Sequence, residues 1–244
     1  MEAKRTPRLF ITGDTHRDID IDKLSTKKWK EQKTLTRDDI LLVAGDFGLP
    51  WTLGEDATDR HLLAWYEEKP FTTIFVDGNH DNEDAIRTYP EITYLGAKCH
   101  QIRENVLHVE RGEVLHIGGH KVLCMGGAMS VDIERRTPHI SWWRDEEGSF
   151  LEWAHCQQSL LTEKPDIIVS HDAPESVVEA MFPEYAWIAP TSSTQKNFEI
   201  ILREIKDGVP SVKDWYFGHH HKDRMMELDG IRFHEVYQEI EEVL

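Results

Sequence analysis

Short, unbroken apolar runs recur along this chain, and most of them stop at Asp, Asn or His. Arg8–Thr12, Ile40–Ala44, Thr73–Val76, Pro165–Ser170 and Asp214–Phe217 read as strands. Runs without polar alternation are what strands buried on both faces look like, as in parallel sheets. Glu55–Lys69 carries Leu62, Leu63, Trp65 and Tyr66 at helical spacing, and Pro70 ends it. Phe150–Glu163 is a second amphipathic helix. Thr191–Lys206 is a third, with Phe198, Ile201, Leu202 and Ile205 on one face. Shorter helices are expected over 23–33, over Glu83–Tyr89 and from Pro174 to Met181. Strands and helices alternating through short links point to an α/β fold with right-handed crossovers.

The middle of the chain changes character. Val106–Val109, Val114–Ile117 and Lys121–Met125 are separated by Arg111-Gly112 and Gly118-Gly119, which predicts an antiparallel meander. His108 and His116 would then face solvent. Arg224–Leu228 and Ile231–Val236, joined at Asp229-Gly230, form a closing hairpin. Arg135–Glu147 lacks periodicity and gathers aromatics and arginines, so it reads as a functional loop. With no repeat and no linker, residues 1–244 are expected to form one domain. Residues 128–149 would be a loop or lid insertion in it.

Composition narrows the function. Hydrophobic residues make up 39% of the 244, enough for a sizeable core. No run approaches the ~18 apolar residues of a membrane span. Met1–Pro7 lacks the apolar stretch of a signal peptide. Cys99, Cys124 and Cys156 are scattered and odd in number, as expected of reduced thiols. A cytoplasmic protein without a membrane partner is expected. The formal charge of -17 repels polyphosphate backbones and argues against long nucleic acid as a partner. Oligomeric state is not legible.

The chemistry lies at the strand ends. The first run leads into Gly13-Asp14-Thr15-His16, the second into Gly45-Asp46 and the third into Asp77-Gly78-Asn79-His80-Asp81. The fourth leads into His171-Asp172 and the fifth into Gly218-His219-His220-His221. Open α/β sheets bind ligands at the carboxyl ends of their strands. Carboxylate and imidazole together suit first-row transition ions better than calcium. In an extended segment His219 and His221 share one side and His220 points away. Asp14, His16, Asp46, Asn79, His171, His219 and His221, with His80 beside them, supply enough donors for two ions sharing a bridging carboxylate. Such a pair can clamp a phosphoryl group.

These five blocks, in this order and over nearly the whole chain, resemble those of the calcineurin-like metallophosphoesterases. The resemblance implies a four-layer α-β-β-α sandwich, two mixed sheets flanked by helices. It implies two divalent transition-metal ions, with manganese favoured and iron, zinc, nickel or cobalt open. One ion would be held by Asp14, His16, Asp46 and His221, the other by Asp46, Asn79, His171 and His219. Asp46 would be the bridge. His80 would protonate the leaving oxygen or stabilise its charge. Asp81 either orients His80 or caps the turn. The chain departs from the Ser/Thr protein-phosphatase branch, because Phe47-Gly48-Leu49-Pro50-Trp51 follows Asp46 and Asp81, not Glu, follows the Asn-His pair. The run Gly126–Asp132 with Trp142-Trp143 resembles small bacterial and phage-borne members.

The expected activity is hydrolysis of a small phosphate ester by metal-activated hydroxide, with a phosphodiester or nucleotide favoured. A phosphomonoesterase or protein phosphatase with the same site is the alternative, and a non-catalytic interaction scaffold is a further one. Arg136 can contact phosphate, as can Arg17 unless it faces solvent. Trp142 and Trp143 either stack on a base or anchor the loop.

Overall fold

The computed structural model of the chain describes residues 5–184 and 192–244. The N-terminal tetrapeptide and the first residue of the helix expected from Thr191 lie outside them. Among the described residues, thirteen strands form two mixed sheets. In chain order the first elements are β1 (Leu9–Thr12), β2 (Ile40–Ala44), α1 (Ala57–Glu67), β3 (Thr72–Val76) and α2 (Glu83–Ile86). Then come β4 (Glu91–Tyr94), β5 (Ala97–Arg103), β6 (Val106–Val109), β7 (Val114–Ile117) and β8 (His120–Met125). After a long loop follow α3 (Phe150–Glu163), β9 (Ile167–Ser170), α4 (Glu175–Met181) and α5 (Ser193–Gly208). The chain closes with β10 (Asp214–Phe217), β11 (Arg224–Leu228), β12 (Ile231–Glu235) and β13 (Glu241–Glu242).

The first sheet has the order β13-β1-β2-β3-β6-β5-β4 and the second β11-β12-β10-β9-β8-β7. β1, β2, β3 and β6 run parallel, as do β8, β9, β10 and β12. Alternate residues of one strand serve two cores. Leu9 and Ile11 pack between the sheets with Ile167, Val169 and Tyr216. Phe10, between them in sequence, packs outward with Trp29, Leu63 and Phe71. On the far side of the second sheet, Trp215 and Phe233 pack against Trp153 of α3 and Phe198 and Leu202 of α5. Three apolar layers thus separate four structural ones. This is why the parallel strands read as continuous hydrophobic runs. No helix among the described residues is long and apolar enough to cross a membrane.

Helix starts are encoded locally. Asp56 and Asp59 form a capping box on α1, and Ser149 and Glu152 form one on α3.

Three expectations need correction. Residues 23–33 contain no α-helix; short 3-10 turns lie at Ile21–Leu24 and Lys30–Thr34. The run from Val106 to Met125 is not one meander. β6 joins the first sheet, antiparallel to β5, while β7 and β8 form a hairpin in the second. The chain crosses between sheets at Arg111-Gly112. His108 is not on a solvent face. It is 6% exposed, with Nε2 3.2 Å from Asp77 Oδ1.

Candidate metal centre

The turns after β1, β2, β3, β9 and β10 converge. One ligating atom each from Asp14, His16, Asp46 and His221 falls within a 4.8 Å group. His16 Nε2 lies 3.2 Å from Asp46 Oδ2, and His221 Nε2 lies 3.4 Å from Asp14 Oδ1. On the other side of Asp46, His171 Nε2 is 3.3 Å from Asp46 Oδ1 and 3.3 Å from Asn79 Oδ1. The His219 ring stands 5.1 Å from that of His171. All seven candidate ligands are thus brought around one carboxylate, Asp46, which is 1% exposed.

Such convergence strains the backbone. Asp14, His16, Asp46, His219 and His221 all have positive φ, between 44° and 73°. L-residues visit that region rarely and at a cost, and such strain gathers at functional sites. The glycines in front of the ligands permit the approach. A Cβ on Gly78 would stand 2.2 Å from Asp46 Oδ1 and 2.6 Å from His171 Nε2. A Cβ on Gly45 would stand 2.1 Å from His171 Nδ1.

Neighbouring groups orient the donors. His171 Nδ1 lies 2.8 Å from the Ala44 carbonyl, an acceptor only, so Nδ1 carries the proton and Nε2 faces the site. Asn79 Nδ2 donates to Ser130 Oγ at 3.2 Å, which turns its carbonyl oxygen inward. His16 Nδ1 is 2.7 Å from Asp20 Oδ2. Partners of this kind set the ring orientation and basicity of metal-ligating side chains. Ser130 and Asp20 were not singled out in the sequence, because their partners are set by tertiary packing.

The arrangement asks for a cation. His171 Nε2 faces oxygens of Asp46 and Asn79, a place that either a ring proton or a cation must fill. Burial disfavours a charged His171, yet Asp46 more than offsets this and holds its pKa up to about 10. Burial likewise opposes a charged His16, and Asp46 and Asp14 raise it to about 9. Burial presses Asp46 upward, but the surrounding histidines hold it well below the usual carboxylate range. Mixed carboxylate, imidazole and amide oxygen donors fit divalent transition ions.

His80 lies beside the cluster. Its backbone N–H donates to Asp46 Oδ1 at 2.7 Å, and its ring is 5.5 Å from that of His16. Burial and the Arg136 guanidinium hold its pKa below the usual value. Arg136 reaches it from the loop, with Nη2 2.8 Å from Nε2.

The Asp81 carboxylate makes no hydrogen bond to His80. Its carboxylate accepts the backbone N–H groups of Gly78 (2.7 Å), Gly48 (2.6 Å) and Phe47 (3.2 Å). Of its two readings the turn cap is therefore the one the geometry favours, and it ties the Asp46 turn to the Asn79 turn.

A cavity of about 560 Å³ opens in front of His16, His80 and His221. Its walls include Trp51, Tyr237, Ile19 and Arg17. Arg17 Nη2 is already paired with Asp56 (2.6 Å) and Asp59 (2.9 Å). Trp142 lines a different cavity, with Arg135 and Arg144. Trp143 is 3% exposed and packs edge-on against Trp51 at 5.3 Å. Of the two readings of Trp143, burial favours anchoring, while Trp51 and Tyr237 line the cavity with aromatic faces.

The family model for calcineurin-like phosphoesterases matches residues 7–223. The chain belongs to that family. It is therefore a member of a dimetal-dependent group of phosphoric ester hydrolases, with candidate metal ligands in place. No curated protein sequence matches it. Among solved structures, it is similar to the anchor protein GAP50 of the Plasmodium inner membrane complex, with a TM-score of 0.51 and 14% identity. The match covers 96% of this chain and 72% of that one. It is also similar to the phosphopantetheinyl hydrolase of Mycobacterium tuberculosis, with a TM-score of 0.47 and 19% identity over 99% and 97% of the two chains.

Proposed function

We propose that this family member hydrolyses a small phosphodiester, with a nucleotide as the favoured substrate. Asp14, His16, Asp46 and His221 hold one ion, and Asp46, Asn79, His171 and His219 hold the other. Manganese is the favoured metal. When bound, the ions supply Lewis-acid activation of water and neutralise charge on the phosphoryl oxygens.

The observation that carries the reading is the position of His80. It lines the 560 Å³ cavity beside His16 and His221, where a leaving-group oxygen of a bound ester would emerge. There its ring N–H donates to that oxygen, a contribution worth about 10²–10⁴ in rate. Asp46 keeps the His80 backbone in place through the 2.7 Å bond. The cavity falls in the range of about 300–1,000 Å³ that accepts nucleotide-sized ligands. Trp51 and Tyr237 offer faces for a planar base. Residues 128–149 act as a lid within one domain, holding Asn79 through Ser130 and His80 through Arg136.

The test is hydrolysis of bis-p-nitrophenyl phosphate beside p-nitrophenyl phosphate by the stripped, manganese-reloaded chain. Faster diester cleavage that disappears in Asp46→Asn, together with bound metal, supports the reading. A monoester preference moves it to a phosphomonoesterase. Two bound ions lost in Asp46→Asn without turnover of either ester point to a narrower substrate.

A further inference from the structure

A second group of donors lies on the outer face of the first sheet, away from the candidate centre. Glu91 of β4 pairs directly with His100 of β5, and His100 pairs directly with His108 of β6. Glu110, two residues beyond His108, continues the same face. The ligating atoms of Glu91, His100 and Glu110 fall within 4.8 Å of one another. With His108 they line a cavity of about 360 Å³.

One imidazole is turned toward the two carboxylates. His100 Nδ1 sits 3.1 Å from the Tyr89 carbonyl and donates to it, which directs Nε2 into the cavity. There Nε2 lies 3.2 Å from Glu110 Oε1, a gap that a proton or a metal ion would bridge. A histidine whose other ring nitrogen donates to a backbone carbonyl is the usual arrangement behind a metal ligand. His108 lies beside it, 6% exposed, with Nε2 3.2 Å from Asp77 Oδ1 and no hydrogen-bond partner on Nδ1.

The charge balance points the same way. Arg111 and Arg87 line the cavity but are engaged by Asp77, Glu83 and Glu152. Among the described residues no Lys or Arg ion-pairs with Glu91 or Glu110.

We propose that Glu91, His100 and Glu110 form a further cation site that takes one divalent transition-metal ion, with His108 lining the same cavity beside it. One imidazole and two carboxylates suit zinc-like ions in an open site that leaves a position for water. An ion there braces β4, β5 and β6.

The test uses zinc and the full chain. Parent, His100→Ala and Glu110→Gln are stripped, reloaded with Zn²⁺, desalted and analysed for metal, with circular dichroism as the check on folding. Each variant is expected to hold one ion fewer than the parent. The same loss is expected on an Asp46→Asn background, which separates this site from the catalytic one. Equal zinc in parent and folded variants overturns the proposal. A measurement on the parent alone guards against variants that do not fold. Histidine ¹⁵N spectra are expected to show His100 Nε2 shifting on zinc addition, and an unshifted resonance overturns it as well.

Discussion

The two terminal nitrogens of Arg136 meet both ring nitrogens of His80, Nη1 at 3.2 Å from Nδ1 and Nη2 at 2.8 Å from Nε2. Arg136 is fixed in turn by Asp132 at 2.5 Å and by the Ser141 carbonyl at 3.2 Å. Arg136→Ala is expected to lower kcat about 10²-fold, the cost of a misplaced catalytic group, with metal content unchanged. Arg136→Lys is expected to recover little, because an ammonium lacks the planar fork. Steady-state kinetics with metal analysis checks this, and an unchanged kcat removes Arg136 from the mechanism.

Asp81 distinguishes a structural carboxylate from a catalytic one. Its three backbone N–H partners would be stranded in Asp81→Ala, at about 1–3 kcal/mol each where buried. The variant is expected to lose several kcal/mol of stability, and its metal with it. Asp81→Asn keeps an acceptor oxygen and should lose less. Denaturant unfolding reads the difference. Full stability with a collapsed kcat would instead return Asp81 to a role at His80.

Trp51 and Trp143 touch edge-to-face, yet their substitution should read out differently. Trp51 lines the cavity, so Trp51→Ala is expected to raise KM for a nucleotide diester more than for a small chromogenic ester. Trp143 is buried behind it, so Trp143→Ala should cost about 3–5 kcal/mol of stability. Melting curves beside KM values for both esters decide. Equal effects of Trp51→Ala on the two esters would remove the aromatic wall from substrate recognition.

Much of the site was legible because each motif is local. A strand running into a glycine and a polar donor marks Asp14, Asp46 and Asn79, and a strand running into an imidazole marks His171. The division of those strands between two sheets is not legible in the same way, since strands buried on both faces look alike whichever sheet they join. β4 and β5 escaped notice because Glu91-Ile92-Thr93-Tyr94 and Ala97-Lys98-Cys99-His100 alternate polar and apolar residues without a strong turn signal. His108 was misplaced because a histidine in an alternating run reads as solvent-facing until its distant partner, Asp77, is known. The tryptophan pair left two readings open for a related reason: aromatic side chains suit a binding wall and a buried anchor equally, and only packing separates the two.

Glu235 gives a pH signature outside the cluster. It is 1% exposed; Oε1 accepts the Lys222 N–H at 2.8 Å and Oε2 has no partner. Burial pushes its carboxyl up to about 9 from an ordinary 4.5. The folded chain then binds this proton more tightly than the unfolded one. The stability it contributes is complete below pH 4.5 and is lost as pH rises toward about 9. Glu235→Gln, permanently neutral, is expected to flatten that part of the melting-temperature profile. A parallel profile in the two proteins would show that Glu235 does not set it.

The two sheets divide the candidate ligands between them. Asp14, Asp46 and Asn79 follow strands of one, and His171, His219 and His221 follow strands of the other. An ion held by this set is therefore also a rivet through the sandwich, joining segments from opposite ends of the chain. Metal affinity and resistance to unfolding become a single quantity measured twice, and stripping the ions should loosen the sheets against each other before it disturbs either one.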